Sequence, residues 1–93
     1  MGYESIISLL SRKWTVEILN LLSKEGTLNY SDIEAELNTS SDIISDRLKT
    51  LTEMGLIERT EYTSRDVRYS LTENGSTMIT KLSELEELLS GSN

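Results

Sequence analysis

The sequence predicts one small domain over residues 1–93, in the α+β class, mainly α-helical with a single small β-hairpin. Three patterns support this prediction. Apolar residues recur at helical spacing in four segments before residue 55. An alternation typical of strands follows over residues 56–71. Helical spacing then returns over residues 72–90, so the hairpin is expected between the fourth and the fifth helix.

Residues 1–26 are predicted to form two N-terminal helices, over about 3–11 and from near Arg12 to about Ser23. Their apolar positions are Ile6, Ile7 and Leu10 in the first helix, and Trp14, Ile18, Leu21 and Leu22 in the second. Gly26 suits the left-handed backbone that ends a helix. We expect Trp14 to be a core side chain rather than part of a ligand cage.

Residues 29–54 are predicted to form two helices joined by a short polar turn. The first, "YSDIEAELN", is expected to bury Tyr30, Ile33 and Leu37, capped by Asn29 or by Ser31, since Ser31 and Glu34 have capping-box spacing. The second, over about 40–54, has the buried-face spacing of Ile44, Leu48 and Leu51. Two helices joined by so short a turn are typical of a helix-turn-helix unit.

The hairpin and the last helix complete the predicted order. "LIERTEY" and "VRYSL" flank the polar turn "TSRD", which predicts a two-stranded wing over residues 56–71. The whole is then a winged helix-turn-helix. In the final helix, over 72–90, Met78, Leu82, Leu85 and Leu89 recur at spacings of 4, 3 and 4. That spacing is typical of a packed helix pair.

Composition narrows the range of functions. The chain has no Cys and no His, which argues against disulfides, the common zinc sites and the usual general base of enzymes. We therefore expect no metal, no cofactor and no enzymatic activity. No run of about 18 apolar residues is present, so no membrane span is expected. The sequence favours a soluble, cytoplasmic protein.

The net charge of −7 argues against a general affinity for nucleic acid. The acidic residues are unevenly distributed, however. Residues 27–38 and 73–93 each carry −3, whereas residues 55–72 are neutral and contain three arginines, Arg59, Arg65 and Arg68. A small local surface could therefore be positive on an otherwise negative molecule.

Four segments in order resemble the HxlR-type branch of the winged-helix transcription regulators. They are "KWTVEILNLL", "NYSDIEAEL", "ISDRLKTLTEMGLIERTEY" and "YSLTENG", which together cover roughly residues 12–76. The resemblance implies a homodimeric DNA-binding regulator. It also implies that the 40–54 helix lies in the major groove, that the 62–69 hairpin lies near the minor groove, and that the terminal helices form the dimer.

The chain departs from the family pattern at three places. The N-terminal Cys that members usually carry, and that some use as a sensor, is absent. The wing "TSRD" is short and lacks the customary prolines. The polar or basic positions that face the bases in the family correspond here to Ser41, Asp42, Ser45 and Asp46. The first departure removes the thiol sensor, and the last raises the question of how acids would face DNA.

The predicted partner is double-stranded DNA. The candidate contacts are Ser31, Ser40, Ser41, Asp42, Ser45, Arg47, Lys49, Arg65 and Arg68. Asp42 could instead serve its own helix dipole, and Arg47 could cover the core with its aliphatic stem. The hairpin arginines could equally form cross-strand ion pairs. For Asp42, the functional alternative is a hydrogen bond accepted from cytosine N4.

The second predicted partner is another copy of the chain. The candidate dimer residues are Ile6, Ile7, Leu10, Met78, Leu82, Leu85 and Leu89. The same residues could instead pack onto their own domain, but so small a domain has few surfaces to cover so long a seam.

An alternative function belongs to another class. The winged-helix frame could be a protein-interaction module, in which the acidic 40–54 helix binds a basic protein partner instead of DNA. Titration with DNA distinguishes the two functions. A DNA-binding protein should bind saturably and more weakly as salt rises, because phosphate contacts release counterions. A module that binds a basic protein should not bind DNA.

Overall fold

The structure, a computed structural model, describes residues 2–91. Its elements are α1 (Glu4–Ser11), α2 (Thr15–Glu25), β1 (Leu28–Asn29), α3 (Tyr30–Glu36), α4 (Ser41–Glu53), β2 (Ile57–Thr63), β3 (Asp66–Leu71) and α5 (Glu73–Ser90). The strands form one antiparallel sheet in the order β1-β3-β2. Helices with a small sheet, and a hairpin after the α3–α4 pair, confirm the predicted winged helix-turn-helix class.

The hairpin is joined to the rest of the fold by β1. Leu28 pairs with Tyr69 of β3, and Asn29 pairs with Arg68, so the brief extended segment before α3 becomes the third strand of the sheet. On the other side, β2 pairs with β3 from Ile57 and Leu71 outward to the turn. The orientation of the hairpin is therefore fixed relative to α3 by backbone hydrogen bonds.

The core lies where α2, α3 and α4 meet the base of the sheet. Its buried apolar residues are Leu9, Ile18, Leu19, Leu22, Ile33, Ile44, Leu48, Leu51, Leu56 and Ile57. The three residues predicted for the buried face of α4 are all among them. Tyr30 and Leu37 are half-buried against this cluster, as the spacing of α3 predicts.

The start of α2 differs from the prediction. The helix begins at Thr15, not near Arg12, because Trp14 precedes it with a left-handed backbone, φ 77°. The buried face consequently runs through Thr15, Ile18, Leu19 and Leu22. Trp14 is half-buried, and its ring lies under the ammonium of Lys13, 5.2 Å from the ring centroid.

In α1 the buried side chain is Leu9, and Leu10 is exposed. One further expectation about local structure is corrected. At the start of α3 the capping box is Asn29 with Asp32, not Ser31 with Glu34. Asn29 has the extended backbone of an N-cap, and its side chain accepts from the Asp32 N–H at 2.8 Å.

A glycine turn connects α4 to the hairpin. Gly55 has φ 77°, and its N–H donates to the Thr52 carbonyl at 3.0 Å. The N–H of Leu56 donates to the Leu51 carbonyl at 3.0 Å. These two bonds form a Schellman motif, and the accompanying apolar pair, Leu51 and Leu56, is buried in the core.

The N-terminus of α5 docks against this same turn. Thr72 caps α5, its hydroxyl donates to the Gly55 carbonyl at 2.6 Å, and its N–H donates to the Leu56 carbonyl at 3.1 Å. Gly75 is buried one turn into α5, and a Cβ there would lie 2.0 Å from the Leu56 carbonyl oxygen. The contact therefore requires glycine.

Gly75→Ala should destabilise the fold by about 1–3 kcal/mol, the usual range for overpacking a tight contact. The free energy of unfolding, measured by chemical denaturation at fixed protein concentration, checks this. Asn74→Ala, at the exposed neighbouring position, is the matched control and should stay within about 0.5 kcal/mol of the parent. Equal midpoints for both variants would contradict the close docking of α5.

Candidate nucleic-acid interface

Burial of one face of α4 determines which side chains the helix presents to solvent. Ile44, Leu48 and Leu51 are fully or almost fully buried. The opposite side exposes Ser41, Asp42, Ser45, Asp46 and Lys49, which we call the outer face of α4. Four of the predicted DNA contacts lie on this face. The predicted contact Ser40 is the N-cap of the helix, and its hydroxyl accepts from the Ile43 N–H at 3.3 Å.

The hydroxyl of Tyr30 links α3 to the outer face of α4. It donates to the Ser41 carbonyl at 2.9 Å and lies 3.3 Å from the Ser45 hydroxyl. The Ser41 hydroxyl donates to a carboxylate oxygen of Glu34 at 2.8 Å. The relative position of the two helices is thus held by polar contacts at the surface as well as by the core beneath.

Two arginines partly neutralise Asp46. The carboxylate lies 2.5 Å from the guanidinium of Arg47 and 3.6 Å from that of Arg12, which follows α1. The Arg47 side chain is only 19 % exposed, and its Nε donates to the Lys13 carbonyl at 2.8 Å. Arg47 therefore anchors α4 to the α1–α2 junction, and Asp46 is an ion-paired residue rather than a free solvated acid.

Two of the three hairpin arginines form ion pairs within residues 2–91, and the third does not. Arg68 makes two hydrogen bonds of 3.0 Å to the carboxylate of Asp66, and its guanidinium lies over the Tyr62 ring, 4.9 Å from the centroid. The hydrogen bond from Arg68 holds the pKa of Asp66 below its ordinary value. Arg59 pairs with Glu61 at 3.7 Å. Arg65, at the tip, has no ion pair among residues 2–91, so its charge is available to a partner.

The hairpin and the helix-turn-helix meet at two shallow depressions. One, of about 210 Å³, is lined by Ser31 at the start of α3 and by Arg65 at the hairpin tip. The other, of about 230 Å³, lies between α4 and the sheet and includes Ser45, Lys49 and Arg59. The structure thus brings Ser31 and Arg65 together, and Ser45 and Lys49 together. Arg47 and Arg68 are instead engaged by protein groups.

Lys49 and Arg65 are the cations best placed to contact an anionic partner from this side. Both are exposed, and neither forms an ion pair within the described part of the chain. Asp42, in the first turn of α4, is also exposed and has no hydrogen bond or ion pair within that part. The outer face therefore has an acidic residue, Asp42, near one end and a basic residue, Lys49, near the other, and neither side chain is paired within residues 2–91.

The terminal helices carry an apolar surface that no part of residues 2–91 covers. Ile7, Leu85 and Leu89 are 62 %, 51 % and 82 % exposed, and Leu10 is 43 % exposed. Ile6, Met78 and Leu82 are half-buried and face their own domain. Of the predicted dimer residues, four are thus available to a partner and three serve mainly the domain itself.

Three features of these surfaces are not predicted from the sequence. Two are exposed apolar residues, and the third is the ion-pair partner of Asp46. Tyr3 on the N-terminal side of α1 and Leu88 of α5 are 79 % and 75 % exposed. Leu88 falls outside the 4-3-4 spacing of the α5 seam, which is why periodicity alone did not select it. Arg12 pairs with Asp46, which is distant from it in the sequence, and no pattern in the sequence predicts this contact.

Residues 2–91 contain neither a membrane-spanning helix nor a cluster of metal-ligating side chains. No helix in this range is long and apolar enough to cross a bilayer. No group of three or more metal-ligating side chains in the same range converges on a common point.

Known proteins share this architecture and sequence. A model of the HxlR-like helix-turn-helix family matches residues 9–92. A Bacillus subtilis protein, the uncharacterised HTH-type transcriptional regulator YvaP, is 34 % identical over 88 residues, which cover 91 % of this chain and 81 % of that protein.

Solved structures agree with this assignment. A possible HxlR family transcriptional factor from Thermoplasma volcanium is 33 % identical, with a TM-score of 0.79 over 97 % of this chain and 83 % of that one. The reduced form of the B. subtilis transcriptional regulator YodB is 29 % identical, with a TM-score of 0.77 over 89 % and 83 % of the two chains. The chain belongs to the HxlR-like helix-turn-helix family of transcriptional regulators.

Proposed function

We propose that the chain binds double-stranded DNA as a homodimer and regulates transcription, with α4 in the major groove and the β2–β3 hairpin near the minor groove. The observation that carries this proposal is the outer face of α4, a continuous exposed polar surface on a 13-residue helix whose other side is buried. The major groove of B-DNA is wide enough to admit such a helix. Family membership supports the same function.

The charge distribution supports a weak but selective affinity for DNA. Asp46 is paired with two arginines, which reduces its repulsion of phosphates. Lys49 and Arg65 remain free to contact the backbone or base edges, and Ser31 lies beside Arg65. A net charge of −7 keeps non-specific affinity low, and low non-specific affinity favours discrimination between an operator and bulk DNA.

The apolar surface of the terminal helices supports a homodimer. Tyr3, Ile7, Leu85, Leu88 and Leu89 are each more than half exposed, and all lie in or beside α1 and α5. A second copy offers the same apolar surface, so two copies can bury it around a two-fold axis. A two-fold dimer places two reading helices about one turn of DNA apart, which doubles the contacts and compensates for the small number of cations.

The first experiment titrates the protein with duplex DNA from its own upstream region and with mixed-sequence duplex, at about 50 mM and 200 mM salt. Binding to the upstream region should be saturable and should weaken steeply with salt. The double variant Lys49→Gln, Arg65→Gln should flatten the dependence of log K on log salt by about 0.9 per lost phosphate contact in each protomer. Fluorescence anisotropy measures both quantities.

Lys24→Gln is the matched control, because Lys24 is an exposed cation in the last turn of α2 that forms no ion pair with any residue from 2 to 91 and lies outside the proposed interface. It should leave the salt dependence unchanged. An absence of binding to either duplex at both salt concentrations would overturn the proposal and favour a basic protein partner for the outer face of α4.

The second experiment tests the dimer. The double variant Leu85→Ser, Leu89→Ser removes two exposed apolar side chains of α5 and should shift the mass in solution from dimer to monomer, because apolar burial drives such contacts. Light scattering after size exclusion gives the mass, and circular dichroism checks that the helices remain. Thr77→Ser, an exposed position on the same helix, is the control. A folded variant that keeps the dimer mass would refute this interface.

A further inference from the structure

We propose that the side chains on the N-terminal half of the outer face of α4 offer DNA only hydrogen-bond acceptors, so that the half-site presents a cytosine amino group to Asp42 and a guanine to Lys49. This inference rests on the proposed function and specifies the base pattern that the same surface would recognise. It follows from where each hydroxyl hydrogen and each charge of the outer face is directed.

The Ser41 hydroxyl has a single hydrogen, and that hydrogen is donated to the carboxylate of Glu34 at 2.8 Å. A hydrogen bond to an ionised acceptor is stronger than a neutral one. Turning this hydroxyl toward a base would break the charged bond and leave the Glu34 oxygen without its donor. Ser41 consequently presents lone pairs, not a hydrogen, to an approaching groove.

The same reasoning applies to Ser45 through Tyr30. The Tyr30 hydroxyl has one hydrogen, and it is donated to the Ser41 carbonyl at 2.9 Å. The 3.3 Å contact between the two hydroxyls must then have Ser45 as donor and the Tyr30 oxygen as acceptor. Ser45 therefore uses its hydrogen within the protein and can only accept from outside.

Asp42 is an acceptor by its charge, since an ionised carboxylate has no hydrogen to donate. Asp46 is one turn further along the helix, but its carboxylate is bonded to Arg47 and paired with Arg12. Arg47 itself is held by the Lys13 carbonyl. Asp46 and Arg47 thus act as positioning residues for α4, and Asp42 is the acid that remains free to contact a base.

Three of the four bases present a major-groove edge that suits the Asp42 carboxylate poorly or only in part. Guanine offers two acceptors and thymine offers an acceptor beside a methyl group, and both repel a carboxylate. Adenine offers a donor next to an acceptor. The major-groove edge of cytosine itself carries a donor, the N4 amino group, and no acceptor, which makes it the best match for Asp42.

Lys49 supplies the opposite chemistry at the other end of the face. Its ammonium has donors only, and it has no ion pair within residues 2–91. Guanine, with O6 and N7, is the base edge that accepts from lysine. Seven residues separate Asp42 from Lys49, about 10 Å along the helix at ~1.5 Å per residue. At ~3.4 Å per base pair, the two contacts should fall about three base pairs apart.

The test is an in vitro selection from a random duplex library with the full chain, followed by sequencing of the bound DNA. The wild-type half-site should contain a cytosine and, about three base pairs away, a guanine. Asp42→Asn should lower the cytosine preference about tenfold and favour adenine, because the amide both donates and accepts. Lys49→Gln should convert the guanine position to adenine for the same reason.

Glu17→Gln is the matched control, because Glu17 is also an exposed acid in the first turn of a helix, but in α2. Its selected sequence should equal the wild-type one. A wild-type half-site that Asp42→Asn leaves unchanged would overturn this inference while preserving DNA binding. Failure of the wild-type chain to enrich any sequence would instead overturn the proposed function itself.

Discussion

The burial of one face of α4 is the constraint on which the rest of the account depends. Ile44, Leu48 and Leu51 are inserted between α2, α3 and the sheet, so the helix has a single orientation. Rotation by even one residue would bury charge, which is far more costly than exposing an apolar side chain. The outer face is therefore fixed by the core. The Schellman turn at Gly55 connects α4 directly to the hairpin, so the position of the hairpin depends on the orientation of this helix.

Ion pairs at the surface reduce the negative charge near the proposed interface of this strongly acidic chain. Asp46 lies between Arg12 and Arg47, and Asp66 lies against Arg68, so two acids near the proposed interface are paired locally. Ion pairs at a protein surface add little to stability, so the main effect of these pairs is on the local electrostatic field. They leave Lys49 as the cation of α4 that forms no ion pair within residues 2–91. The acids of α5 are distant from α4 in the sequence.

The sequence predicted the features that depend on the spacing of residues close together in the chain. Helical spacing predicted the inward residues of α4, and the alternation over 56–71 predicted the hairpin. It left a choice open where neighbouring residues compete on nearly equal terms, as with Asn29 and Ser31 for the cap of α3, which the structure assigns to Asn29. It failed where the contact joins distant segments, as with Arg12 and Asp46. The direction of the Ser45 hydrogen depends on Tyr30 and cannot be derived from spacing.

The central claim is that DNA meets this acidic chain at the outer face of α4 and the hairpin tip. Chemical-shift mapping of the ¹⁵N-labelled protein during titration with a bound duplex tests it directly. The account predicts the largest shifts at Ser45, Lys49 and Arg65, with small shifts along the exposed end of α5. Shifts concentrated on α1 and α5, with α4 and the hairpin unperturbed, would contradict it.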